Sequence, residues 1–87
     1  MKIDKTLKAL NDKNRRKILK ILRDGPLTAG EIAEKFDMSS ATVSYHLSIL
    51  LEGDLIYLNK EKNFRIYTLN ASVFEELMSF FIDYMED

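Results

Sequence analysis

A mainly α chain of five helices and one two-stranded β-hairpin is predicted by three observations. Residues 28–52 read as two short helices joined by a tight turn. Two β-prone runs, residues 55–58 and 64–69, flank a polar segment, residues 59–63. The last stretch, from Ala71 to about Met85, carries apolar residues over an arc of about 200° when projected at about 100° per residue. One proline and three glycines among 87 residues leave little room for long loops.

The first helix is short, residues 4–10, with Ile3, Leu7 and Leu10 on one face and Asp4 as its cap. Ile18, Leu19, Ile21 and Leu22 mark a second helix from Asn14 to Arg23. Gly25 fits a left-handed position after its end, and Pro26 blocks continuation. Arg15 and Arg16, at its start, are either solvated or held against phosphate.

Residues 28–52 repeat one opening device. Thr28 caps the third helix, with Glu31 completing a capping box and Leu27 stapling to Ile32. Ser39 caps the fourth, with Met38 stapling to Val43. Only Asp37 and Met38 are left clearly between the two helices, so they must cross sharply, as in a helix-turn-helix. Gly53 is a second candidate for a left-handed C′ position.

The fourth helix has two unlike faces. Val43, Leu47, Leu50 and Leu51 form one apolar stripe. The other side carries Thr42, Ser44, Tyr45 and Ser48, and no Lys, Arg, Asp or Glu occurs from Ser39 to Leu51. Solvated helix faces favour Glu and Lys, which are good helix formers. Small hydroxyls instead let a backbone approach a surface closely and donate to phosphates or base edges. That composition suits a helix in a DNA major groove. Ser39, Ser40, Thr42, Ser44, Tyr45 and Ser48 are the candidate contacts.

The segment SSATVSYHLSIL resembles the recognition helix of the ArsR/SmtB family of bacterial winged-helix repressors. Residues 12–19, DKNRRKIL, resemble the start of that family's second helix, and residues 27–33, LTAGEIA, its third. The likeness runs from about Ile3 to Met85, and NASVF at 70–74 resembles the SdpR-type autorepressor branch in particular. It implies a single winged helix-turn-helix domain over residues 1–87, dimerising through its first and last helices. It also implies autoregulation and sequestration by a partner protein.

The hairpin of Leu55–Leu58 and Phe64–Leu69 is then the wing. Lys60, Lys62 and Arg65 are candidate phosphate contacts, or they protect exposed strand edges. Asn70 caps the last helix, and Leu69 and Phe74 have staple spacing. The wide apolar arc of that helix exceeds what one subunit of this size covers, so half of it requires a second copy. Ile3, Leu7, Phe74, Leu77, Phe81 and Tyr84 are the candidate interface residues. An acidic polar face without Lys or Arg disfavours anionic membranes.

Net charge is −1, unusual for a DNA binder. Residues 70–87 hold five acids and no base, leaving 13 basic against 9 acidic residues in 1–69, a net +4. A basic body and an acidic tail fit the same reading. Hydrophobic content of 46% and charged content of 31% describe one ordinary globular domain of modest stability. No apolar run approaches the ~20 residues of a membrane span, and the N-terminus lacks a signal-peptide core. Cytoplasmic location is expected, without membrane insertion.

Cysteine is absent, which removes disulfides, thiolate nucleophiles and thiolate metal sites. His46 is the only histidine, with no ligand partner nearby in sequence, and is read as packing and positioning its helix. Asp83, Glu86 and Asp87 offer only hard oxygen ligands. No cofactor or metal is expected. No nucleophile–base pair or phosphate-cradling loop points to an enzyme. Two readings remain: a dimeric repressor on a palindromic double-stranded operator, and a winged-helix module that binds protein instead of DNA. The uncharged hydroxyl face and the +4 body favour the first.

Overall fold

Helix caps set most of the element boundaries. The computed structural model describes residues 1–86. In chain order the elements are α1 (Ile3–Leu10), α2 (Lys13–Leu22), β1 (Leu27–Thr28), α3 (Ala29–Glu34), α4 (Ser40–Glu52), β2 (Ile56–Glu61), β3 (Phe64–Leu69) and α5 (Ala71–Ile82). The five predicted helices are present, and the predicted hairpin gains a third strand.

Local chemistry explains the starts of the central helices. Asp12 caps α2, its carboxylate accepting from the backbone N–H of Asn14 at 2.8 Å and of Arg15 at 3.0 Å. The Arg15 hydrogen bond, then that from Asn14, with the Arg15 charge behind them, hold the Asp12 carboxyl below the usual carboxylate range against an opposing effect of burial. Its contribution to stability is therefore full above the ordinary carboxylate range and lost as pH falls through the lowered value. Thr28 and Glu31 form the expected capping box of α3, and Ser39 caps α4 by accepting from the Thr42 N–H at 3.2 Å. Met38 and Val43 both join the core, as do Leu27 and Ile32.

Several boundaries differ from expectation. The first helix starts at Ile3 with Lys2 at its cap position, so Asp4 lies inside the first turn and caps nothing. There its charge still complements the helix dipole. The connection between α3 and α4 runs over residues 35–39, longer than Asp37 and Met38 alone. The second strand begins at Ile56 and extends to Glu61, so the wing turn shrinks to Lys62 and Asn63. Lys62, with φ +55°, takes the positive dihedral such a two-residue turn needs. The last helix ends at Ile82, before the expected Met85.

Glycines divide in role. Gly25 has φ +144°, a conformation open to glycine, and ends the α2 corner. Gly53 has φ −83°, so the expected left-handed position passes to Asp54, at φ +60°. Gly53 is required for space instead. A Cβ there would lie 3.0 Å from both the Ala9 Cβ and the Lys5 carbonyl oxygen. That close approach lets the buried Thr6 hydroxyl donate to the Gly53 carbonyl at 2.7 Å, fastening α1 across the end of α4.

The antiparallel sheet has the order β1-β3-β2, with Leu27 opposite Tyr67 in one ladder and Leu58 opposite Tyr67 in the other. The core gathers Ile18, Leu19 and Leu22 from α2, Ile32 from α3, and Val43, Leu47 and Leu50 from α4. Leu55, Ile56, Tyr67, Val73 and Leu77 close it from the sheet and α5. Asn70 occupies the cap position of α5, but its side chain bonds no helix N–H. Its amide donates to the Asp54 carbonyl at 2.7 Å, and its oxygen accepts from the Tyr57 hydroxyl at 2.8 Å. Those bonds tie the end of α4 to the start of α5.

Candidate nucleic-acid interface

The fourth helix presents its uncharged side outward. Ser39, Ser40, Thr42, Ser44, Tyr45 and Ser48 are all exposed, while Val43, His46, Leu47 and Leu50 on the opposite side are buried. Tyr45 is 62% exposed, large for an aromatic ring beside a core. Ser40, Ser44 and Ser48 recur every fourth residue and so form one stripe. Ser39 also pairs with the Thr42 hydroxyl at 2.9 Å, fixing the first turn of the helix. Exposed backbone N–H groups at that end favour an approaching phosphate.

The wing supplies the charge. Lys60, Lys62 and Arg65 are exposed, and Lys60 stands directly opposite Arg65 in the β2–β3 ladder. Like charges placed opposite one another destabilise a strand pair. A phosphate between them would convert that repulsion into attraction. Replacing Lys60, Lys62 and Arg65 together by Ala is expected to weaken binding to all DNA alike. The slope of log affinity against log salt should flatten by about 0.9 for each phosphate that is no longer neutralised. Unchanged affinity at fixed salt, measured by fluorescence anisotropy, would remove the wing from the interface.

The arginines of α2 are engaged inside the subunit. Arg15 is 7% exposed, and that burial overturns both solvation and phosphate binding, the two roles its position in the sequence allows. Its Nε donates to the Ala9 carbonyl at 2.8 Å and its Nη2 to the Lys8 carbonyl at 3.1 Å, which also accepts from the Asn11 N–H, so the guanidinium grips the end of α1. Its Nη1 lies 3.3 Å from Nδ1 of His46. Arg16 is exposed and donates to the Leu10 carbonyl at 2.7 Å. His46 is 6% exposed and so packs inside the subunit, the first part of the expectation from sequence.

A second surface lies on α5. Phe81 is 49% exposed, and Tyr84, in the turn after the helix, is exposed with Met78, Ile82 and Met85. Phe74, Met78 and Phe81 recur at four- and three-residue steps along α5, a spacing suited to packing on another helix. Met78, absent from the candidate interface residues, falls on that face, while Met85 is exposed in the turn beyond the helix. Phe74 and Ile3 are half-buried and Leu7 is exposed. Leu77 departs from the expected set: it is 4% exposed, taken up by the subunit's own core away from that face of α5. The Met1 amino nitrogen lies 3.4 Å from the Glu76 carboxylate, which joins the start of α1 to this side of α5.

Among the described residues no group of three or more His, Cys, Asp or Glu side chains is placed to hold a metal ion. Asp87 lies outside the described residues. No described helix is long and apolar enough to cross a membrane.

Known proteins share this arrangement. A helix-turn-helix domain family matches residues 10–58. The transcriptional repressor SdpR of Bacillus subtilis is 35% identical over 83 residues, covering 95% of this chain and 92% of SdpR. An arsenical resistance operon repressor of Staphylococcus aureus is 33% identical over 72 residues, covering 83% of this chain and 69% of the repressor. The crystal structure of an ArsR family transcriptional regulator superposes with a TM-score of 0.89 at 25% identity, covering 98% of this chain and 93% of the other. A homodimeric winged helix-turn-helix DNA-binding domain from Mycobacterium bovis, solved by NMR, superposes with a TM-score of 0.77 at 25% identity, covering 97% and 82%. A shared helix-turn-helix, a wing and near-complete coverage by relatives place this chain in the ArsR family of winged helix-turn-helix transcriptional regulators.

Proposed function

We propose that the protein is a dimeric transcriptional repressor that reads an inverted-repeat operator without sensing metal. The observation that carries this reading is the exposed, uncharged hydroxyl face of α4, together with an exposed wing bearing Lys60, Lys62 and Arg65. Two copies of α4 enter successive major grooves, Ser44 and Tyr45 meet base edges, and the wings hold flanking phosphates. The bound dimer blocks polymerase sterically. The likeness to the transcriptional repressor SdpR supports repression; repression of the protein's own gene and release by a sequestering protein partner are part of the proposal.

Selection of bound duplexes from a random DNA pool tests the reading. An inverted repeat should be enriched at moderate salt. Retention of DNA without any shared sequence, or no retention, would instead favour a winged helix that binds protein.

Metal independence follows from the ligands available: no cysteine and one buried histidine. Zinc, nickel, cadmium or arsenite should leave operator affinity within a few-fold. A loss of about tenfold reversed by a chelator would overturn this and direct attention to the acids near the end of α5.

A further inference from the structure

We propose that Arg15 is a positioning residue for DNA reading, setting the seat of α4 against the end of α1 through His46. The inference rests on α4 being the reading helix. Three parts of the chain meet at one buried guanidinium. Two of its nitrogens donate to the Ala9 and Lys8 carbonyls at the end of α1, at 2.8 Å and 3.1 Å. A third nitrogen faces Nδ1 of His46 at 3.3 Å and an Asp12 carboxylate oxygen at 3.8 Å.

Arginine only donates, so Nδ1 of His46 is the acceptor in this pairing. The planar, rigid fork of the guanidinium suits this task, since it holds several acceptors in fixed directions. His46 follows Ser44 and Tyr45 directly, and those two are exposed while the imidazole is buried. The rotation of α4 about its axis, and with it the aim of Ser44 and Tyr45, is thus tied to Arg15. The same guanidinium holds the end of α1, whose Leu7 belongs to the exposed apolar surface. Arg15 therefore joins α1, the helix that carries Leu7, to the candidate reading helix.

His46→Phe cuts this link while leaving most of the fold. An aromatic ring stays in place, and Arg15 keeps both α1 carbonyls and Asp12. His46→Asn returns an acceptor oxygen close to the place of Nδ1. Three measurements are made on each variant: affinity for the operator recovered by selection, affinity and salt slope on a random-sequence duplex, and dimer mass by light scattering. His46→Phe should lose about tenfold on the operator, with random-duplex affinity, salt slope and mass unchanged. His46→Asn should recover most of the loss. Arg15→Lys, which keeps the charge but not the fork, should show the same selective loss and decides the matter if His46→Phe does not fold.

Operator affinity equal to wild type in His46→Phe would overturn the proposal. So would an equal loss on operator and random duplex, or no recovery in His46→Asn. If the wild-type protein shows no sequence preference at all, the reading of α4 fails first, and that result is distinct from these.

Discussion

Replacing Phe81 by Asp should yield a folded monomer whose affinity for operator DNA is lower by orders of magnitude. Phe81 is half exposed in the subunit, so an acid there costs the isolated fold little. In the proposed dimer the same position lies on the interface face of α5, one helical step from Met78. A carboxylate would be buried among apolar side chains without a partner, a cost that strongly disfavours association. It would also add to a helix with Glu75 and Glu76 and no Lys or Arg. A symmetric dimer reads half-sites about 34 Å apart, and a monomer keeps one half-site. Light scattering and anisotropy on the same sample check both parts. A variant that remains dimeric and binds normally would move the interface to α1 alone.

Replacing both Ser44 and Tyr45 by Ala should cost about 1–3 kcal/mol per residue on the operator and much less on random DNA. In a dimer each change occurs twice, so the double substitution removes its candidate base contacts from both half-sites. Both side chains are exposed and neither packs in the core, so helical content should survive. Circular dichroism alongside anisotropy separates the two effects. An equal loss on both DNAs would make these residues positioning contacts to the backbone.

The starts of α3 and α4 are the most legible points in the sequence, because each is set by side chains within three residues of its cap. Thr28, Glu31 and Ser39 act as their spacing predicts. Asp12 is a cap that the sequence reading does not include, although an Asp just before a helix is an ordinary one. Elsewhere the deciding partner is remote in sequence. Leu27 and Thr28 become a strand only because β3 arrives beside them. Gly53 is small because α1 crosses it, which its neighbours in sequence do not reveal. Arg15 looks like a surface charge until the α1 carbonyls and His46 close around it. Apolar periodicity continues past Ile82, since side-chain pattern alone does not report where the helical backbone ends.

The α4 face and the wing cations are legible for a different reason. Exposed surfaces escape packing constraints, so their composition speaks directly of what they meet. Nine residues, six hydroxyl-bearing on or beside α4 and three basic in the wing, are exposed as their types predict.

Methylation interference on the selected operator tests the central account most directly. Methyl groups on guanine N7 occupy the major groove and those on adenine N3 the minor groove. The account predicts that N7 methylation blocks binding in two symmetric half-sites about 10–10.5 base pairs apart. Interference confined to adenine N3, or to a single half-site, would contradict a dimer reading DNA through α4.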